Sequence, residues 1–239
     1  MKKKNTIIWI VIIILLLELI IIPYTISGQE ICVNKYYSKD NNENPWSGRD
    51  EGSHFPYGCE WWWLYVVMVL DDGTHWDMCI QFAYQANWTG KNWSETDGLC
   101  YVRIQSWNRT SDEFFDCYHL KNNLNTLKQT QNIVDLKFFN STMIGLFPKY
   151  NAFLDDDINN IQLAVDFHAV NNPHWVGQDS VGGVIPFKTT SMRYGIIPRG
   201  KINGILTIDD TSYNVTGIGY YEHFFADSHL YDSDRKSVV

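Results

Sequence analysis

The sequence lacks the motifs that identify several common classes of enzyme and binding protein. It has no glycine-rich phosphate loop, no Gly-x-Ser-x-Gly nucleophile motif, no Cys-x-x-Cys pair and no internal repeat. These absences argue against a phosphate-loop nucleotide site, an α/β-hydrolase nucleophile and a zinc ribbon. The chain also lacks a basic patch and has a net charge of -8, so no nucleic-acid partner is predicted.

The sequence also lacks the residue spacings that are typical of metal sites. An acidic run, Asp155-Asp156-Asp157, has neither the glycine nor the glutamate of an EF-hand loop, so we interpret it as a solvated turn. The histidines are scattered, and we therefore predict no metal ion and no cofactor. They lie at His54, His75, His119, His168, His174, His223 and His229.

Aromatic residues, in contrast, are abundant. They make up 15% of the 239 residues, with 10 Trp, 14 Tyr and 12 Phe. A chain of this length is sufficient for one domain. Its aromatic side chains could form a core alone, or a core together with an aromatic-lined cavity.

The N-terminal segment has the composition of a membrane anchor. Three lysines at residues 2–4 precede an apolar run from Ile7 to Ile22, which only Glu18 interrupts. Continued to Ile26, the segment has about 20 residues, the length of a spanning helix. Because the lysines precede it, we predict a cytoplasmic N-terminus, with the domain on the extracytoplasmic side of the cell membrane. A cleaved signal peptide is the alternative.

Two further features agree with export. The chain has five Asn-X-Ser/Thr acceptor sites for N-glycosylation, which is typical of a glycoprotein. It also has five cysteines, which predict one or two disulfides and one remaining thiol. The acceptor sites are Asn87, Asn92, Asn108, Asn140 and Asn214, and the cysteines are Cys32, Cys59, Cys79, Cys100 and Cys117.

The chain divides into four segments. Residues 1–28 are the predicted anchor, 29–53 a polar linker, 54–226 a β-rich domain and 227–239 a C-terminal tail. Turns are predicted at Asp71-Asp72-Gly73, Asn203-Gly204 and Asp209-Asp210. Strands are predicted over Glu60–Leu70, Thr74–Tyr84, Cys100–Trp107, Glu113–Leu120, Ile133–Phe139, Ile161–Val170, Met192–Ile197, Lys201–Asp209 and Ser212–Phe224.

Eight or nine short strands, with no amphipathic helix after the anchor, predict an all-β antiparallel barrel or a barrel-like sandwich. A barrel of about eight strands holds either a packed core or one small ligand. The first strand is apolar on both faces, so we expect a second layer or a neighbouring domain to cover its outer face. In the last strand, alternation places Tyr221 and His223 on one face and Tyr220 and Glu222 on the other.

Two motifs resemble one known family. The run Glu-Trp-Trp-Trp at residues 60–63, before the Asp-Gly hairpin, resembles the opening strand of the hydroxyneurosporene synthase (carotenoid 1,2-hydratase, AttH-like) family. The run Gly-Ile-Gly-Tyr-Tyr-Glu-His at residues 217–223 resembles that family's Gly-x-Gly-Tyr-His-Asp-His strand, with Tyr221 and Glu222 in place of its first His and Asp. The resemblance covers residues 54–226. It implies a lipocalin-like barrel with a pocket for an apolar, unsaturated molecule, such as an isoprenoid or another lipid.

The resemblance also implies an activity, the hydration or isomerisation of an alkene. This chemistry needs a proton donor shielded from water, such as a carboxylic acid in an apolar pocket, and aromatic walls that stabilise a carbocation. We assign Glu222 as the proton donor and Glu60 or His223 as the group that orients water. The residues expected to line the pocket are Trp61, Trp62, Trp63, Tyr65, Tyr220 and Tyr221.

Several alternatives stay open at this point. The tryptophans could belong to the core, and Glu60 could have a structural role through an ion pair with Arg193 or Arg103. The domain could be a non-catalytic module of the cell envelope. Because the family's second barrel has no counterpart here, it could also be one half of a split enzyme whose other barrel is supplied in trans.

Overall fold

Apolar and polar residues alternate along most segments of the domain, and this pattern favours β-strands, whose side chains point to opposite faces in turn. The computed structural model describes residues 46–55, 58–88, 93–176, 184–187 and 190–226. A short helix α1 (Gly48–Glu51) comes first, and a 3₁₀ turn (Leu124–Thr126) follows the fourth strand. The strands are β1 (Cys59–Leu70), β2 (His75–Trp88), β3 (Trp93–Asn108), β4 (Glu113–Lys121), β5 (Val134–Phe138), β6 (Ser141–Leu146), β7 (Lys149–Asp156), β8 (Ile161–Ala169), β9 (His174–Trp175), β10 (Val184–Phe187), β11 (Thr190–Ile208) and β12 (Thr211–Ala226).

All twelve strands belong to one antiparallel sheet. Ten of them follow the order β4-β3-β2-β1-β12-β11-β8-β7-β6-β5, and β9 and β10 each pair with β11. The first and last long strands are therefore neighbours, with Trp62 opposite His223 and Trp63 opposite Glu222. This pairing brings the two motifs at opposite ends of the domain sequence side by side.

The sheet curls around one hydrophobic core. On β1 the residues Trp62, Leu64 and Met68 are buried, and they alternate with side chains that face outward. Across the core, the ring of Tyr150 on β7 stacks on that of Tyr221 on β12, with their centroids 4.7 Å apart. Because β11 and β8 separate these strands within the sheet, the contact requires strong curvature. Most of the buried residues form one large cluster on the inner face, and a second, smaller cluster forms around Cys59, Phe224 and Ala226.

The sheet is a curled half-barrel, whereas the sequence suggested a closed one. Within the described residues, no backbone ladder joins the edge strands β4 and β5. The connection between them bonds to β5 through a bridge from Lys128 to Lys137, and it buries Leu124 and Leu127 in the core. Side chains make a contact across the gap, where His119 Nε2 lies 2.9 Å from Asp157 Oδ1.

The described part of the predicted linker, residues 46–53, is built into the fold. Ser47 caps α1, where its hydroxyl and its backbone N–H both donate to Asp50 Oδ2 at 2.6 and 2.8 Å. Trp46 is 1% exposed and lies against Gly195, where a Cβ atom would sit 1.8 Å from the indole ring. This close approach requires glycine at position 195. Ordered structure therefore extends to residue 46 at least, before the predicted boundary at 54.

Two of the three predicted turns are confirmed and one is wrong. Gly73, with φ of 86°, lies in the β1–β2 turn, and Asp209 and Asp210, with φ of 46° and 64°, form the β11–β12 turn. Asn203 and Gly204 lie instead inside β11, paired with both β8 and β12. Glycine is needed there because a Cβ atom at 204 would sit 2.1 Å from the carbonyl oxygen of Ala164.

Other sequence predictions differ from the structure in the second half of the domain. Strands β6 and β7 have no counterpart among the predicted strands. The predicted solvated turn of acidic residues is wrong in part, because Asp155 and Asp156 belong to β7 and are buried, and only Asp157 is exposed.

The cysteines form fewer disulfides than the sequence allowed. Cys79, Cys100 and Cys117 carry free thiols on β2, β3 and β4, which excludes a pattern of two disulfides. The reason is register, because Cys79 lies opposite Gln105 and Cys100 lies opposite Lys121.

The predicted membrane anchor, residues 1–28, lies outside the described residues. Within the described part of the chain, no helix combines the length and the apolar composition that crossing a bilayer would require.

Candidate functional site

The predicted site residues divide between the two faces of the sheet, as strand alternation requires. The inner face holds Glu60, Trp62, Tyr221 and His223, which are all 0% exposed. The outer face holds Trp61, Trp63, Tyr65, Tyr220 and Glu222. The structure therefore brings Glu60 together with His223, and it separates both from Glu222.

On the outer face, Glu222 accepts hydrogen bonds from its own strand, β12, and from both neighbouring strands. Trp61 Nε1 donates to Oε1 at 3.0 Å, and the Tyr220 hydroxyl donates to Oε2 at 2.9 Å. The Tyr194 hydroxyl on β11 donates to Oε2 as well. Glu222 itself is 4% exposed, although the rings around it are only partly buried.

Further aromatic contacts extend this surface. Trp61 stacks on Phe224 with ring centroids 3.7 Å apart, and Trp63 Nε1 contacts the Cys79 thiol. Tyr65 is 36% exposed and donates to Asp77 at 2.9 Å. We call this surface the aromatic face, and it consists of Trp61, Trp63, Tyr65, Tyr194, Tyr220, Glu222 and Phe224.

The two tyrosines beside Glu222 are held as proton donors. Burial, with the hydrogen bond to Glu222, raises the pKa of Tyr194 to about 12. Burial and the hydrogen bonds to Tyr194 and Glu222 raise the pKa of Tyr220 still further. At neutral pH both phenols therefore keep their protons.

On the inner face, Glu60 lies between two histidines. Its Oε1 atom is 2.8 Å from His54 Nδ1 and 2.8 Å from His223 Nε2. The His54 backbone N–H also donates to Oε2 at 2.9 Å. Burial alone would raise the pKa of Glu60, but the hydrogen bonds from His223 and His54 outweigh it and hold the pKa below its usual range. We call these three residues the inner cluster.

The His223 side of the inner cluster is closely packed. Trp62 stacks on the His223 ring with centroids 4.8 Å apart, and His223 Nδ1 lies 2.7 Å from the backbone oxygen of Asp50. The ion pair of Glu60 with Arg193 or Arg103, considered from the sequence, is not formed. These arginines pair instead with Asp50 at 3.4 Å and Asp116 at 2.8 Å.

A further buried carboxylate, Glu51 of α1, was missed by the sequence analysis. Its Oε1 accepts from Trp46 Nε1 at 2.8 Å and from the Phe147 N–H at 3.0 Å, and its Oε2 accepts from the Tyr150 hydroxyl at 2.6 Å. Burial outweighs these bonds and raises the pKa of Glu51 to about 7. The signal that could have identified this segment is Trp46, a large apolar residue in an otherwise polar stretch.

Two tyrosine hydroxyls near these carboxylates are buried without a hydrogen-bond partner among the described residues. They are Tyr84 Oη and Tyr221 Oη. Tyr84 lies opposite Glu60 in the β1–β2 pairing, and burial, followed by the charge of Glu60, raises the pKa of its phenol. Burial and the charges of Glu51 and Glu60 raise the pKa of Tyr221.

A second group of ligand-type side chains lies at the gap between the sheet edges. His119 Nε2 is 3.3 Å from the Cys117 thiol and 2.9 Å from Asp157 Oδ1. Burial raises the pKa of Cys117 to about 12, with the Asp156 charge adding to the effect. We call this the rim group.

Comparison with solved structures shows the fold. An AttH protein from Nitrosomonas europaea superposes with a TM-score of 0.65 at 15% identity, over 80% of this chain and 58% of that protein. Kievitone hydratase from Nectria haematococca superposes with a TM-score of 0.57 at 12% identity, over 82% of this chain and 53% of the hydratase. The domain thus has the AttH-like lipocalin fold, and the chain matches little more than half of each of these proteins. No protein-family model and no curated protein sequence matches it.

Proposed function

We propose that the domain binds an apolar, unsaturated small molecule, such as an isoprenoid or another lipid, across the aromatic face. The observation that carries this proposal is a carboxylate, Glu222, which is 4% exposed yet surrounded by rings that remain partly accessible. Rings of this kind give an apolar ligand a flat contact surface. The inner face is less suitable, because its rings are buried in the core.

We further propose that Glu222 exchanges a proton with the ligand in a hydratase or isomerase reaction. A ligand that covers the face would exclude water from the carboxyl group, so that the proton of the acid would pass to the ligand and not to solvent. The acid then protonates one alkene carbon, water adds to the other carbon, and the carboxylate recovers a proton from that water. The rings of Trp61 and Trp63 would stabilise the positive charge that develops between these steps.

The likeness to kievitone hydratase supports hydration as the reaction class, and hydroxyneurosporene synthase remains the more specific family that we propose. In this proposal Tyr194 and Tyr220 are positioning residues, because they hold Glu222 through their hydroxyl groups. The inner-face residues Glu60 and His223 take no part in this reaction. We propose also that residues 1–28 anchor the domain to the extracytoplasmic side of the cell membrane.

A second candidate function is a non-catalytic binding or structural module of the envelope. It is favoured by the donors on Glu222, which come from β1, β11 and β12 and could simply fasten these strands together. A third is one half of a split enzyme. The chain matches 58% and 53% of its structural neighbours, so a second barrel in trans would complete their length.

The proposal is tested by identifying what the protein binds. The full chain is purified in mild detergent and extracted with organic solvent, and the extract is analysed by mass spectrometry. We expect an apolar compound that is lost when Trp61→Leu and Trp63→Leu are combined. Trp107→Leu is the matched control, because Trp107 is 39% exposed on β3 and lies outside the aromatic face.

The reaction is tested with Glu222→Gln, which keeps the shape of the side chain and removes its acid. The intact protein, incubated with a lipid extract of the producing cells in ¹⁸O-labelled water, should form a product that contains one labelled oxygen. The Gln variant should lose at least about 100-fold in rate while keeping the bound compound. Binding without labelling in either protein would favour the non-catalytic module, and no bound compound would refute the proposal.

A further inference from the structure

We propose that the inner cluster, His54, Glu60 and His223, binds a divalent transition-metal ion. This inference goes beyond the proposed function and rests on different residues, on the opposite face of the sheet. The sequence gives no indication of it, because position 223 is more than 160 residues from the other two ligands, and only the β1–β12 pairing brings them together.

The geometry of the cluster is close to that of a metal site. His54 Nδ1, His223 Nε2 and one Glu60 oxygen all lie within 4.8 Å of one another. The two nitrogens are each 2.8 Å from the same oxygen. Ligands bonded to one zinc ion at 2.0–2.2 Å in tetrahedral geometry lie about 3.4 Å apart. Shifts of about 1 Å or less would therefore place the ion among these atoms.

The hydrogen bonding of His223 requires a proton or a metal ion between its Nε2 and Glu60. Its Nδ1 faces the Asp50 carbonyl oxygen at 2.7 Å and must donate to it. In a neutral ring, Nε2 then presents a lone pair to the Glu60 oxygen at 2.8 Å, where two acceptors would repel. Either a second proton or a metal ion must lie between them.

Two observations favour the metal over the proton. A histidine that ligates a metal typically donates its other ring N–H to a carbonyl or a carboxylate, as His223 does to Asp50. In addition, the buried Tyr84 hydroxyl beside Glu60 has no partner at normal hydrogen-bond geometry within the described part of the chain, and a water bound to the metal would provide one.

The ligand set indicates the class of metal. Two imidazoles and one carboxylate suit zinc and other divalent transition metals, and they leave at least one position for water. Trp62 shields the His223 side of the cluster. The His54 side chain is 20% exposed, whereas the other two ligands are fully buried, so an ion would reach the cluster from the His54 side.

The experiment measures metal in the full chain, purified in mild detergent and stripped with EDTA. After incubation with Zn²⁺ and desalting, we expect about one zinc per chain by elemental mass spectrometry, and Co²⁺ should give visible absorption bands typical of low coordination number. At free Zn²⁺ about 100 times its Kd, the thermal midpoint should rise by about 5–10 °C. His54→Phe keeps the stacking on Phe225, 3.5 Å away, and removes one ligand.

We expect His54→Phe and His223→Gln each to lower zinc affinity at least 10-fold, whereas His168→Phe, an exposed control, leaves it unchanged. If His223→Gln does not fold, His54→Phe alone decides the question. Cys117→Ser tests the rim group, and loss of zinc in that variant but not in His54→Phe would refute the proposal. Absence of retained zinc, with no change in the thermal midpoint, would also refute it and assign the cluster to an imidazolium–carboxylate pair. Neither result depends on the ligand of the aromatic face.

Discussion

Three buried glutamates show how neighbouring groups decide the chemistry of one side-chain type. Around Glu51 the neighbours are neutral donors, burial dominates, and the pKa rises to about 7. Around Glu60 two histidines outweigh burial, and the pKa falls. Glu222 accepts hydrogen bonds from one indole and two phenols on the aromatic face. A single residue type therefore has its pKa raised at Glu51 and lowered at Glu60, according to the groups around it.

Glu51 makes the stability of the domain depend on pH. Its pKa is about 7 in the folded state and 4.5 without the fold, so the folded state binds this proton more tightly. Stability contributed by this group is therefore fully present below about pH 4.5 and declines as the pH rises towards 7. The complete change corresponds to about 3 kcal/mol. Glu51→Gln cannot ionise. Its free energy of unfolding should therefore rise relative to that of the wild type by about 2–3 kcal/mol as the pH is raised from 5 to 8.

Urea unfolding at several pH values measures this difference. Glu60 acts in the opposite direction, because its lowered pKa gives stability above the unfolded value that is lost at low pH. Comparison of variant with wild type at each pH removes that common contribution. Glu113→Gln, at an exposed position on β4, is the control and should change stability by less than about 0.5 kcal/mol. A difference between Glu51→Gln and the wild type that stays constant with pH would show that Glu51 does not titrate in this range.

Most residues of the aromatic face could be predicted from sequence, as could Glu60 and His223 of the inner cluster, whereas Tyr194, His54 and Glu51 could not. Strand alternation alone places Glu222 and Tyr220 on one face and His223 on the other. In contrast, Glu51 and His54 lie in a stretch rich in Asp, Gly and Ser that is typical of a loop. Their burial depends on contacts that are distant in sequence, such as those of Glu51 with Phe147 and Tyr150.

At the level of elements, the β11–β12 hairpin has a connection of two residues. Ile208 pairs with Thr211, and both residues of the turn between them, Asp209 and Asp210, have positive φ. This is the pattern of a type I′ turn, which favours Asn-Gly because other residues are strained at positive φ.

The double substitution Asp209→Asn with Asp210→Gly should therefore raise the free energy of unfolding by about 0.5–1 kcal/mol. The midpoint of urea unfolding measures the change. Gly73→Ala in the β1–β2 turn is the opposite control, because its φ is 86° and no atom lies within 4 Å of the added Cβ, so only backbone strain acts. The Gly73→Ala variant should have a free energy of unfolding about 1 kcal/mol lower than that of the wild type. A loss of stability in the double variant would contradict the type I′ assignment.

Strands were predicted correctly where the local residue pattern alone favours a strand, and they were missed where it does not. Strands β1 and β12 are long and rich in aromatic and β-branched residues, so their pattern identifies them. Strand β6 contains Gly145, and β7 ends in acidic residues that usually favour a turn. Asn203-Gly204 has the composition of a turn, yet β11 continues because Gly204 allows the backbone of β8 to approach. Such tertiary packing overrides local propensity, and it cannot be inferred from one sequence.

At the scale of the whole molecule, the aromatic face is a partly exposed surface. Its tryptophan and tyrosine rings are partly accessible in the described part of the chain, and the chain matches 58% and 53% of its structural neighbours. We propose that a bound lipid or a second barrel in trans covers this surface. If residues 1–28 anchor the domain to a membrane, as proposed, the orientation of the chain decides which of these partners can reach it.

That orientation can be measured through the acceptor asparagines, because N-glycans are added only on the lumenal side of a membrane. Lys2, Lys3 and Lys4 precede the apolar segment, and the positive-inside rule predicts that they stay cytoplasmic while the domain is translocated. Synthesis of the full chain with microsomes should therefore give glycosylated forms that are protected from protease. Asn108→Gln, at the end of β3, should remove one glycan and leave protection unchanged. Changing all three lysines to glutamate should reduce the glycosylated fraction, since the orientation signal is removed. A chain that remains unglycosylated and fully digested, beside a control protein that is glycosylated in the same microsomes, would place the domain in the cytoplasm and contradict the predicted topology.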